Sequence, residues 1–121
     1  MPDCVFCKIV KGEIPAEKVY EDENYLAFLD IHPLSPGHTL VIPKKHFRWV
    51  WDIDEAGEYF ETTKKVARAI QKSFGTEQVF SKIIGDEVPH AHIWLFPNPE
   101  KAMGDKNNLV ENAEKIRKFI L

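Results

Sequence analysis

The chain has 121 residues, of which 44% are hydrophobic and 29% charged, and a formal net charge of −3. That length suits one domain over residues 1–121 around a single core, and the composition is that of a globular protein rather than a disordered one. Slight acidity argues against a binder of polymeric nucleic acid, which usually carries a basic stripe, and no apolar run nears the roughly 20 residues that cross a bilayer, so neither is an expected partner. The start, Met1-Pro-Asp-Cys-Val-Phe-Cys-Lys8, lacks a basic segment followed by an apolar one, so it does not read as a signal peptide and a cytoplasmic location is expected.

In chain order the first feature is Cys4-Val-Phe-Cys7. This spacing lets both sulfurs reach one metal ion; it also serves redox exchange at strand-to-helix junctions, and two inert buried thiols fit it as well. Ile14-Pro15 marks a turn. Lys18–Glu21 and Tyr25–Asp30 read as a hairpin bent at Asp22-Glu-Asn24. A proline-rich loop from His32 to Gly37 leads to a third, mostly buried strand, His38–Pro43, and His46 just beyond it offers a third metal ligand. From Glu55 to about Ser73, Ala56, Tyr59, Phe60, Val66, Ala67, Ile70 and Phe74 keep close to a 3.6-residue period, which predicts a helix. Asp52 and Glu55 form a capping pair at its start, and Gly75 is its stop. Gln78–Ile84 and His90–Phe96 read as two more strands joined by a short turn at Gly85-Asp86. The tail from Asn108, with Leu109, Ala113, Ile116 and Ile120, predicts a second helix. Sequential antiparallel strands with helices between and after them give an α+β arrangement: a five-stranded antiparallel sheet with two main helices.

The segment His90-Ala-His-Ile-Trp94 carries the chemistry. Strand alternation sends His90, His92, Trp94 and Phe96 to one face and Ala91, Ile93 and Leu95 to the other, toward a core. The two imidazoles then lie about 7 Å apart, and imidazole is suited to nucleophilic and proton-transfer work near neutral pH.

Together these residues resemble the histidine triad (HIT) family, in its Hint-like branch. The resemblance runs from Cys4 to Pro15, through Lys18–Asp22, Leu26–Asp30 and Pro36–His46, to Val88–His92. It implies the HIT fold, with two subunits joining their five-stranded sheets into a ten-stranded one. It implies a nucleotide-binding hydrolase or transferase that cleaves purine nucleoside monophosphate conjugates of the phosphoramidate type. By that resemblance His92 is the nucleophile, forming a nucleotidyl-histidine intermediate that water resolves, and His38 is a second active-site histidine. Phe28 and Ile31 would sandwich the base, and Asp30 would accept from the ribose hydroxyls. Backbone N–H groups near Gly85 and Glu87 would cradle the phosphate, with His90 and Trp94 beside it. Zinc-binding members imply Cys4, Cys7, His46 and His90 as four ligands of a structural Zn²⁺.

Two departures from the family pattern stand out. Trp94 takes the place of the third histidine, and indole brings one N–H donor, no acceptor and no titratable proton. Loss of one phosphate-stabilising donor typically costs about 10²–10³ in rate. The alternative function is therefore a catalytically weak or inactive nucleotide-binding or interaction protein of the same fold. The loop before Gly85 is also short, without the family's asparagine. Lys82 is the nearby basic residue that could compensate, and Asp86 and Glu87 read as a solvated turn.

Overall fold

A computed structural model describes residues 4–120. Its elements run α1 (Val5–Val10), β1 (Lys18–Glu21), β2 (Tyr25–Leu29), β3 (Thr39–Pro43), a 3₁₀ turn (Val50–Asp52), α2 (Ala56–Gln71), β4 (Val79–Lys82), β5 (Ile93–Pro97) and α3 (Leu109–Phe119). The strands form one antiparallel sheet in the order β1-β2-β3-β5-β4. Among the described residues no helix is long and apolar enough to cross a membrane.

Period-two alternation divides the sheet between two apolar layers. Ala27, Leu29, Val41, Ile93 and Leu95 face one way, into a core closed by Tyr59, Val66, Ala69 and Ile70 of α2 and Ala113 and Ile116 of α3. The Tyr59 hydroxyl is buried there and donates to the Val41 carbonyl at 2.6 Å. Leu26, Phe28, Leu40 and Ile42 face the other way and meet Phe6 and Ile9 of α1, with Trp94 packed alongside. The two main helices thus cover one side of the sheet, and the short α1 covers part of the other.

The structure corrects several expectations. Helix α1 lies where only a cysteine motif is legible, because six residues are too few to show a period. Strand β5 starts at Ile93, so His90 and His92 precede it. Their backbone is held elsewhere: His90 N–H donates to Val88 O and Ala91 N–H to Phe47 O. The link from β4 is correspondingly a ten-residue connection, residues 83–92, rather than a short turn. The strands are not all sequential neighbours, since β5 inserts between β3 and β4. Asp52 and Glu55 do not form a capping pair. Asp52 accepts from the Trp49 N–H instead, and Glu55, the N-cap of α2, makes no side-chain cap bond.

Candidate active site and metal cluster

Two clusters meet at residues 90–92. The first begins at the N-cap of α1, where the Cys4 sulfur accepts from the Cys7 N–H at 3.3 Å. His46 arrives from the segment after β3 and His90 from the segment before β5. His90 Nδ1 lies 3.4 Å from each sulfur and 3.2 Å from His46 Nδ1, which is 3.2 Å from Cys7 Sγ. All four ligand atoms fall within 4.8 Å of one another. Tetrahedral zinc with Zn–S about 2.3 Å and Zn–N about 2.0–2.1 Å needs S···N edges of about 3.5 Å and N···N edges of about 3.3 Å. The spacings observed are close to those edges.

The tautomer fits too. His90 Nε2–H donates to the Pro43 carbonyl at 2.8 Å, so Nδ1 turns a lone pair toward the sulfurs, as a backbone carbonyl does behind many metal-bound imidazoles. Burial pushes the His90 imidazolium pKa down to about 4, which leaves the ring in its ligating, neutral form near pH 7. Burial also raises the Cys7 thiol, with Cys4 adding to the effect. Both thiols face imidazoles, an arrangement that favours metal ligation over the redox and inert readings of the motif.

The second cluster lines a cleft of about 220 Å³ between α1 and the sheet. Phe28 and Leu40 are on its sheet side, Phe6 and Ile9 on its helix side, and Asp30, Ile31, Glu87, His92 and Trp94 complete the lining. His92 is buried, and its Nδ1–H donates to the His90 carbonyl at 2.7 Å, leaving Nε2 with the free lone pair. Phe6 holds this ring edge-on, with centroids 5.1 Å apart and planes at 90°, and meets Phe28 in the same way at 5.4 Å. Ile31 is 69% exposed on the rim. Asp30 Oδ1 accepts from the His32 N–H at 2.8 Å.

The remaining candidate residues lie around this cleft. His38 is buried and does not line it, but packs between Trp94 and Phe96, with centroids 5.2 Å from each. Its Nδ1 accepts from the Leu34 N–H at 3.0 Å, so Nε2 carries the proton and points toward Asp30 Oδ2, 3.8 Å away, without a hydrogen-bond partner. Burial lowers the His38 pKa and the Lys82 charge adds to that, against the opposing pull of Asp30. Gly85 is not in the cleft. Its carbonyl accepts from Arg48 at 2.6 Å, beside a small hollow that also reaches His92. Sequence reasoning missed Phe6, Ile9 and Val88 as lining residues. The signal for the first two was the apolar set Val5, Phe6, Ile9 and Val10 between Cys4 and Gly12.

A profile of the HIT domain matches residues 11–101. The chain is 43% identical over 109 residues to the hit protein of Bacillus subtilis, covering 84% of this chain and 75% of that one. It is 39% identical to an adenosine 5′-monophosphoramidase of Schizosaccharomyces pombe, over 84% of this chain and 78% of the relative. An adenylylsulfatase of Arabidopsis thaliana is 36% identical over 82% of this chain and 54% of its own length. Among solved structures, a Hit-like protein of Bartonella henselae superposes with a TM-score of 0.86 at 35% identity, covering 98% and 97% of the two chains. A zinc-bound histidine triad family protein of Mycobacterium smegmatis superposes with a TM-score of 0.78 at 31% identity, covering 98% and 94%.

Proposed function

The chain belongs to the HIT domain family, in its Hint-like branch, and we propose that it is a nucleotide hydrolase acting on purine nucleoside monophosphates joined to a leaving group. The observation that carries this reading is the His92 Nδ1–H bond to the His90 carbonyl, in the wall of a cleft shared with Phe28, Asp30 and Ile31. The bond holds the tautomer whose Nε2 is nucleophilic and spares the ring a search among orientations. Nε2 attacks the α-phosphorus, the leaving group departs, and water cleaves the nucleotidyl-histidine bond to release the monophosphate. The base lies against Phe28 under Ile31, and the ribose hydroxyls donate to Asp30. His38 backs Trp94 and faces Asp30 from behind the cleft.

Cys4, Cys7, His46 and His90 hold a structural zinc in this reading, supported by their spacing and by the zinc-bound relative. Zinc there supplies cross-linking of α1 to the sheet and no chemistry at phosphorus.

Incubation with AMP conjugates, adenosine 5′-phosphoramidate among them, is expected to release AMP. His92→Ala should stop the release while AMP still binds in calorimetry. Equal turnover by that variant would sink the mechanism. The rival reading, a nucleotide-binding protein without turnover, rests on the indole of Trp94. It requires that AMP bind and that no conjugate be cleaved over hours at high protein concentration.

A further inference from the structure

One row of directly opposed residues crosses the whole sheet: Lys18, Phe28, Leu40, Trp94 and Lys82. Directly opposed residues share a face. Phe28, Leu40 and Trp94 all line the cleft, so Lys82 stands next in the row at its β4 end. The Lys82 ammonium lies 5.6 Å from the centroid of the Trp94 ring. Its charge also reaches His38, which packs on the same indole. The position of the third histidine is therefore held by two residues. One is an aromatic surface with no proton to give, and the other is a cation placed over it.

We propose that Trp94 and Lys82 select the leaving group, and that the preferred substrates are nucleoside monophosphates joined through an anhydride oxygen to an anion such as sulfate, a carboxylate or phosphate. This rests on the reading that His92 attacks the α-phosphorus. In the first step the Nε2 lone pair forms the N–P bond, and the P–O bond to the leaving group breaks with its electron pair. Sulfate or carboxylate departs as a stable anion and needs no proton, so the lack of an acid at Trp94 costs nothing. Lys82 contacts that anion and offsets the negative charge gathering on it. In the second step water attacks phosphorus, the P–N pair returns to Nε2, and the proton of water passes to solvent.

An amine leaving group is a different case. It must take up a proton as the P–N bond breaks, and indole cannot give one. The Lys82 ammonium serves there as a point charge. General acid assistance is worth about 10²–10⁴ in rate, enough to separate the two substrate classes.

The test compares kcat/KM for adenosine 5′-phosphosulfate and adenosine 5′-phosphoramidate in the wild type and three variants. Lys82 is exposed, so Lys82→Met is expected to fold normally. It should lower phosphosulfate turnover by about 10²-fold, the usual effect of losing one charge-stabilising group, and phosphoramidate turnover far less. Trp94→His should raise the ratio of phosphoramidate to phosphosulfate turnover by about 10²-fold by restoring an acid. Equal effects of Lys82→Met on both substrates would overturn the proposal. So would brisk wild-type cleavage of the phosphoramidate that falls in Glu87→Gln, because a carboxyl lining the cleft would then be supplying the proton. Absence of turnover with either substrate, in every variant, would instead remove the hydrolase reading on which the proposal rests.

Discussion

Single residues around positions 90–92 carry most of the chemical information. The alternation legible in His90-Ala-His-Ile-Trp94 survives even though the first three residues lie outside the strand: Ala91 joins Ile93 and Leu95 in the core, while His92 and Trp94 line the cleft. The role of His90 was not legible from spacing. Its ring nitrogens meet Pro43 and the Cys4–Cys7–His46 group, 44 or more positions away for every ligand, and only family resemblance tied these segments together. His90 also makes stability depend on pH. Its folded pKa of about 4 lies below the 6.5 of the free side chain, so the unfolded chain takes up the proton first as pH falls. The stability contributed by the neutral ring is full above about pH 6.5 and is lost as pH drops toward 4, by on the order of 3 kcal/mol. Chelator-treated protein should therefore show a lower urea midpoint at pH 5 than at pH 7.5. The zinc-loaded protein should be more stable than the chelated form at pH 7.5, with about one zinc per chain by elemental analysis. An unchanged midpoint after metal removal would count against a structural ion.

At the level of elements, the helices α2 and α3 were legible because eleven to sixteen residues display a period. Asn108 at the N-cap of α3, accepting from the Glu111 N–H, could be read as the start of the tail helix. Helix α1 could not, yet it forms one side of the cleft and brings both cysteines toward His46 and His90. Phe6 anchors it, touching Phe28, His90 and His92 edge-on. Phe6→Ala should cost about 3–5 kcal/mol, the usual range for a buried phenylalanine, and should lower turnover beyond the loss of folded protein by freeing the His92 ring. Thermal melts paired with rates measured well below the melting temperature separate the two effects. A stable variant with unchanged rate would show that α1 only covers the sheet. Sheet order was hidden for a related reason. Strand β5 is buried nearly throughout and needs neighbours on both sides, whereas β4 is mostly exposed and suits an edge. Those burial differences exist only once the chain is folded.

Across the whole molecule, the two sheet edges are unequal. On the β1 side, the Arg117 guanidinium of α3 donates to the Lys18 carbonyl and α3 lies against the strand. On the β4 side the strand is mostly exposed, with Phe80 43% and the following Ile84 45% accessible. An unguarded edge of this kind invites pairing with a second copy. We propose that β4 is the edge through which two chains form the homodimer implied by the family resemblance. Ser81→Pro removes a backbone donor and Phe80→Lys adds a charge, so the double variant should sediment as a monomer where the wild type sediments as a dimer. A wild type that is monomeric at micromolar concentrations would rule the assembly out.

His90 has its ring in one cluster and its carbonyl in the other, and this division has a consequence for how the chain tolerates change. In a randomised library screened for folding alone, position 92 should accept many side chains, while position 90 should accept few. Screening for turnover should then restrict position 92 as well, and should additionally remove those folded variants in which a new residue at 90 rotates the peptide plane. His90 is thus the more restricted of the two histidines, since its side chain and its main chain answer to different selections.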